Sequence, residues 1–145
     1  MKANEALVLD MFRAVEERDV DRILEIYHPD VEFFWPPSLP GYGGTCRGPE
    51  VLDMSMAFAA AWDPVQPTDE ARRIPKRVIA SNDVEVVVHY HQRGTDPSGR
   101  SCDSEVLGLY RVENGKVTRL QMFYFDPEHV ADFLTGSVAG QHTKP

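Results

Sequence analysis

Thiols are scarce in this chain: of 145 residues only Cys46 and Cys102 carry one. They stand far apart, without the Cys-x-x-Cys or Cys/His spacing of a metal site, so a disulfide framework and a thiolate metal centre are both disfavoured. Long apolar runs are missing too, and no segment approaches the roughly 20 residues that a membrane-spanning helix needs. The opening MKANEALVLD has acidic residues where a secretory leader needs a positive start. Positive charge is in deficit, with 15 Lys and Arg against 23 Asp and Glu and a net charge of −8. Such a field repels phosphate backbones and anionic lipid surfaces. The expectation is a cytoplasmic protein with no nucleic-acid partner and no membrane partner.

What the chain does contain is enough apolar sequence, 42%, for one core. A single domain is expected over residues 1–136, with a flexible tail over 137–145, where the sequence turns small, polar and aperiodic. Ala6, Leu7, Met11, Phe12 and Val15 recur at helical spacing. Asp19 is placed to cap a second short helix with a Val20, Ile23, Leu24, Tyr27 stripe, and HPD ends it, because the residue before a proline is pushed out of helix. VEFFW reads as a strand, PPSLPGYGGTCRG as a loop, and GPEVLDMSMAFAAAW as a third helix entered through a proline at its first position. The period then changes to two. RIPKRVIA, VEVVVHYHQRG, SEVLGLYRV and KVTRLQMFYF form four strands with short links, an antiparallel meander. A short helix follows. This is an α+β order, with helices on one face of a curved antiparallel sheet.

Strand parity sorts the side chains that carry chemistry. Val86, Val88 and Tyr90 share one face with Gln92, while His89 and His91 point the other way, beside Arg93. Two histidines so spaced can hold a metal, but no carboxylate or cysteine is placed by sequence to complete the set, and no metal is assigned. Leu120, Met122 and Tyr124 share a face with Asp126 if the strand runs unbroken that far. A carboxylate there would be desolvated, with a raised pKa suited to proton transfer. DPEH is equally the opening of a helix, with aspartate as N-cap, and both readings of Asp126 stand. Tyr90 and Tyr124 are buried phenols that need partners, from a ligand carbonyl or from the protein. Met54, Phe58 and Trp62 of the third helix pack the core or line a pocket.

RDVDRILEIYHPDVEFFW, VVVHYHQRGT, VENGKV and FYFDP together give the chain a resemblance to the nuclear transport factor 2-like, or cystatin-like, cone superfamily, and within it to the SnoaL-like group. The resemblance implies a cone with an apolar internal pocket, a hydrophobic small molecule as partner, and a homodimer formed through the outer sheet face, where His89, His91, Phe123 and Phe125 stand. It places Trp35 as a wall at the pocket mouth and Tyr42 on the loop that closes over a ligand, with Gln92 orienting it. In SnoaL-like cyclases an aspartate at the end of the last strand is the acid/base, which points to Asp126, with Tyr90 and Tyr124 as catalytic partners. Cofactor-free cyclisation or isomerisation of a polyketide-like carbonyl compound is the activity implied. A noncatalytic ligand-binding protein of the same fold is the alternative. Steroid-type isomerisation is disfavoured, because Phe12, Trp35 and Leu107 or Gly108 stand where its reagents would be. Epoxide hydrolysis is weak, because no Arg-x-Asp pair occupies the strand that carries His89, Tyr90 and His91.

Overall fold

The computed structural model describes residues 2–39 and 44–142, with side chains as far as Gly136. Helix α1 (Lys2–Glu17) buries Val8, Met11, Phe12 and Ala14. Of the expected stripe, Met11 and Phe12 are buried and Leu7 and Val15 pack against the core, while Ala6 is exposed. Helix α2 (Val20–Ile26) starts where expected, with the Asp19 carboxylate accepting the Arg22 N–H. It buries Ile23 and Ile26, whereas Val20 and Leu24, expected on the buried stripe, face solvent. A helix this short can turn only one edge to the core.

Strand β1 (Tyr27–Trp35) is longer than VEFFW, and β2 (Gly44–Arg47) forms within the segment read as loop, pairing antiparallel with β1. Pairing with β1 holds so short a strand. Gly48, at a positive φ of 67°, then turns the chain into α3 (Pro49–Trp62) and donates its N–H to Val31 O. A single 3-10 turn (Asp63–Val65) and the short α4 (Asp69–Arg72) occupy the polar link, the latter capped by Thr68.

Strands β3 (Lys76–Ser81), β4 (Glu85–Thr95), β5 (Ser101–Glu113) and β6 (Lys116–Tyr124) form the expected meander. Asn114 and Gly115, both at positive φ, make the tight turn between β5 and β6, as ENG foretells. β1 lies parallel to β6, which gives the order β2-β1-β6-β5-β4-β3 in one curved, unclosed sheet. The fold is therefore the expected α+β arrangement. Helix α5 (Pro127–His142) is longer than the short helix expected and runs into the segment assigned to a tail; residues 143–145 lie outside the described residues.

The helices sit on the concave face. Phe12 of α1 meets Tyr90 of β4 and Tyr110 of β5 edge-on, with ring centroids 5.0 and 5.8 Å apart. Phe58 of α3 tilts against Trp35 of β1, and Phe133 of α5 against Trp62. No helix among the described residues is long and apolar enough to cross a membrane.

Candidate functional site

Between α1, α3 and the concave face of the sheet lies a cavity of about 100 Å³. Its wall is apolar and aromatic: Phe12, Phe33, Trp35, Phe58, Leu120 and Met122 contribute, with Phe33 and Trp35 stacked at 3.7 Å. Its polar atoms come from Ser55, Gln92 and four tyrosines, Tyr27, Tyr90, Tyr110 and Tyr124. Among the described residues no carboxylate, imidazole, lysine or arginine lines it.

Alternation brings the phenols together. Tyr90 on β4, Tyr110 on β5 and Tyr124 on β6 all point inward, and every second residue around them is buried. Tyr124 donates to Gln92 Oε1 at 2.6 Å, and the Tyr27 and Ser55 hydroxyls lie 3.5 Å apart. The Tyr90 hydroxyl interacts with those of Tyr110 and Tyr124, and Tyr90 and Tyr110 also share a poorer partner. Tyr90 donates to the Met122 sulfur at 2.9 Å, and Tyr110 directs its hydroxyl at the same sulfur from 3.8 Å. A thioether is a weak acceptor. Gly108 makes room for this arrangement, since a Cβ there would overlap the Tyr110 hydroxyl.

Burial sets the protonation of the cluster. It pushes the Tyr27 phenol up to about 12 and drives Tyr90, Tyr110 and Tyr124 above their ordinary value. All four stay neutral across the physiological range. They are hydrogen-bond donors, not bases.

Several sequence expectations meet in this cavity: Tyr90, Tyr124, Gln92, Trp35 and Phe58 all line it. Met54 packs against the core from α3, and Trp62 is buried behind Phe58; neither lines the cavity. Tyr42 lies outside the described residues. Asp126 is a correction. β6 ends at Tyr124, and the residues after it, Phe125 and Asp126, are both exposed, so the alternation expected to turn the carboxylate inward stops short. Its Oδ1 accepts the His129 N–H at 3.1 Å, and Pro127 begins α5 directly after it. The demand of a new helix for an N-terminal acceptor outweighs the strand's period.

Sequence reasoning missed Tyr110, Tyr27, Ser55 and Phe12 as site residues. For Tyr110 the signal was present, since it shares parity with Val106 and Gly108 in SEVLGLYRV; Tyr27 and Ser55 meet only through the packing of α3 on β1. It also missed a carboxylate beside the histidines. Glu105 pairs across β5 with His91, and donor atoms of His89, His91 and Glu105 lie within 4.8 Å of one another. These three could hold a cation, but on the convex face, away from the cavity. As they stand, His89 Nε2 is 3.0 Å from Glu105 and His91 Nδ1 2.6 Å from Asp103.

Comparison with known proteins agrees with this architecture. Residues 8–120 match the model of the SnoaL-like domain. Uncharacterized proteins of Mycobacterium tuberculosis and Mycobacterium bovis are 28% identical over 128 residues, which is 88% of this chain and 92% of theirs. Among solved structures, TerC co-crystallized with polyporic acid superposes with a TM-score of 0.75 at 22% identity, covering 92% of this chain and 98% of that one. A nuclear transport factor 2-like protein of unknown function from Burkholderia pseudomallei gives 0.72 at 25% identity, covering 93% and 99%. IdmH of Streptomyces antibioticus, a candidate polyketide cyclase, gives 0.70 at 15%, covering 89% and 96%.

Proposed function

The chain belongs to the SnoaL-like domain family, and from that premise we propose that its cone binds a compact, largely apolar carbonyl compound of polyketide type, with the carbonyl oxygen held between the Tyr90 and Tyr110 hydroxyls. The observation that carries this reading is the convergence of two buried phenols on one thioether at the wall of a cavity. A carbonyl oxygen accepts hydrogen bonds far better than a thioether, so a ligand that offers one gives these donors a better acceptor than Met122 does.

Two neutral donors aimed at one oxygen in a dry cavity also favour negative charge developing there, as on the enolate of a ring closure or isomerisation. The aromatic wall would hold the reacting chain folded, and proximity would supply much of the rest. With no carboxylate, imidazole or amine in the wall among the described residues, the proton moves between groups of the substrate itself or through water. The activity is therefore cofactor-free cyclisation or isomerisation, and it does not use Asp126. The candidate polyketide cyclase among the structural relatives supports the class at the level of fold.

The test compares acetophenone with ethylbenzene by quenching of tryptophan fluorescence. Wild type should prefer the ketone, and Tyr90→Phe and Tyr110→Phe should each lower ketone affinity by roughly 3–10-fold while sparing the hydrocarbon. Equal binding of the two compounds would sink the reading. A plain binding protein would retain a polyketide-like diketone unchanged, whereas the enzyme converts it. The apolar patch of Leu107, Phe123 and Phe125 on the convex face supports a homodimer there; Phe123→Ser should then shift sedimentation to the monomer.

A further inference from the structure

Beside the cavity, and sharing Val15, Ala59, Ile74 and Gln92 with its wall, is a smaller chamber of about 40 Å³. Its chemistry is the opposite of its neighbour's. Arg18, Arg72, Arg73 and Arg93 line it, together with Trp62 and Gln66. In a chain with a net charge of −8, four arginines and His91 at one hollow call for a reason, even with the Arg73 side chain 71% exposed.

Carboxylates do not neutralise the group. Asp63 pairs with Arg18 at 2.8 Å, and Glu70, itself well exposed, reaches Arg73 at 3.7 Å and Arg93 at 4.0 Å. Asp103 is occupied with His91. Four positive charges thus face two loosely or singly engaged negative ones. The hydrogen bonding is incomplete in the same place. Among the described residues four buried side-chain polar atoms lack a partner, and three of them, Trp62 Nε1, Arg72 Nε and Arg93 Nε, belong to residues of this chamber. Trp62 is only 2% exposed, and a buried indole N–H without an acceptor is uncommon and costly. All three are donors. None of them can be satisfied by another donor.

We infer that this chamber is an anion subsite that takes the carboxylate of the ligand whose apolar carbonyl portion occupies the cavity. This rests on the function proposed above and narrows it: the ligand is a keto acid, its carbonyl at Tyr90 and Tyr110 and its carboxylate at Arg72, Arg93 and the Trp62 N–H. A carboxylate is acceptor-only and planar, which suits a lining that supplies guanidinium and indole donors and has three of them unpartnered. Its size suits the chamber. The two spaces are adjacent, with Val15, Ala59, Ile74 and Gln92 common to both linings, and the proposed keto acid lies across them.

The experiment uses three probes on the full chain: benzoylpropionate, its methyl ester, and phenylbutyrate, which lacks the ketone. Calorimetry should find the keto acid bound roughly 10–100-fold more tightly than the ester, the range of a charge-assisted hydrogen-bond set, with the preference shrinking in high salt. Arg72→Gln and Arg93→Gln should each bring acid and ester together by weakening the acid alone. Trp62→Phe removes the N–H together with part of a fully buried ring, so it should lower the melting temperature, but it should also reduce the acid-to-ester affinity ratio several-fold, which covers the case in which an arginine variant fails to fold. The inference is overturned if acid and ester bind alike to wild type, or if the preference survives all three substitutions, as it would were water the only partner of these donors. The carbonyl reading fails separately, if benzoylpropionate and phenylbutyrate bind alike while the ester is rejected. Failure of every probe removes both.

Discussion

Strands β4, β5 and β6 present two faces made from alternate residues of the same stretches of chain. The concave face carries Val88, Tyr90, Gly108, Tyr110, Leu120, Met122 and Tyr124, all buried and all uncharged. Positions one residue away carry His89, His91, Glu105, Arg111 and Arg119, with Leu107 and Phe123 among them. A charge on the inner face would lose its hydration with nothing to replace it, whereas the outer face keeps its charges in water. Polar function inside the cone is accordingly restricted to neutral phenols and amides. Charge enters only at the cavity's flank, where the arginines gather. Asp96 is the exception on the buried side, held at the β4–β5 turn by Ser98 and Arg100.

The contrast between the faces can be broken by substitution. Leu120→Ala, on the inner face, should cost about 2–5 kcal/mol in denaturant unfolding. If it costs less than about 1 kcal/mol, the concave face is not the core. Gly108→Ala, which drives a methyl group into the Tyr110 hydroxyl, should cost about 1–3 kcal/mol and weaken ketone binding in the same titration.

Asp96 tests the contrast through pH. Hydrogen bonds from Ser98, then the hydrogen bonds and charge of Arg100, hold its carboxyl at about 2, below its ordinary value. A depressed folded-state pKa means stability that is present above the unfolded value near 4 and lost as pH falls toward 2. Thermal melts of wild type and Asp96→Asn should therefore differ at pH 6 and converge by about pH 2. A constant gap across that range would contradict the assignment.

Asp126→Ala should remove a cap worth about 1 kcal/mol and leave ligand affinity and turnover unchanged. Lost turnover with an unaltered melting temperature would return that carboxylate to the chemistry of the cavity. The smallest effect belongs to Gln121→Ala on the convex face, within about 0.5 kcal/mol, although it is the immediate neighbour of Leu120.

Helices α1, α2 and α3, the start of α5, the four-strand meander, the inward turn of Tyr90 and Tyr124 and the outward turn of His89 and His91 were legible from residue order, because period and parity are local properties of a chain; α4 was not. Cap and turn chemistry were local as well: Asp19, Pro49 and Asn114-Gly115 do what their positions require. Where two local rules competed, as at Asp126, order alone left the matter open; in the structure its carboxylate accepts the His129 N–H. The meeting of Tyr90 and Tyr110 at Met122, of Tyr27 with Ser55, and of Glu105 with the histidines was beyond the reach of sequence reading. Each joins elements distant along the chain, and only strand register and the packing of α1 and α3 onto the sheet bring such groups within hydrogen-bond range.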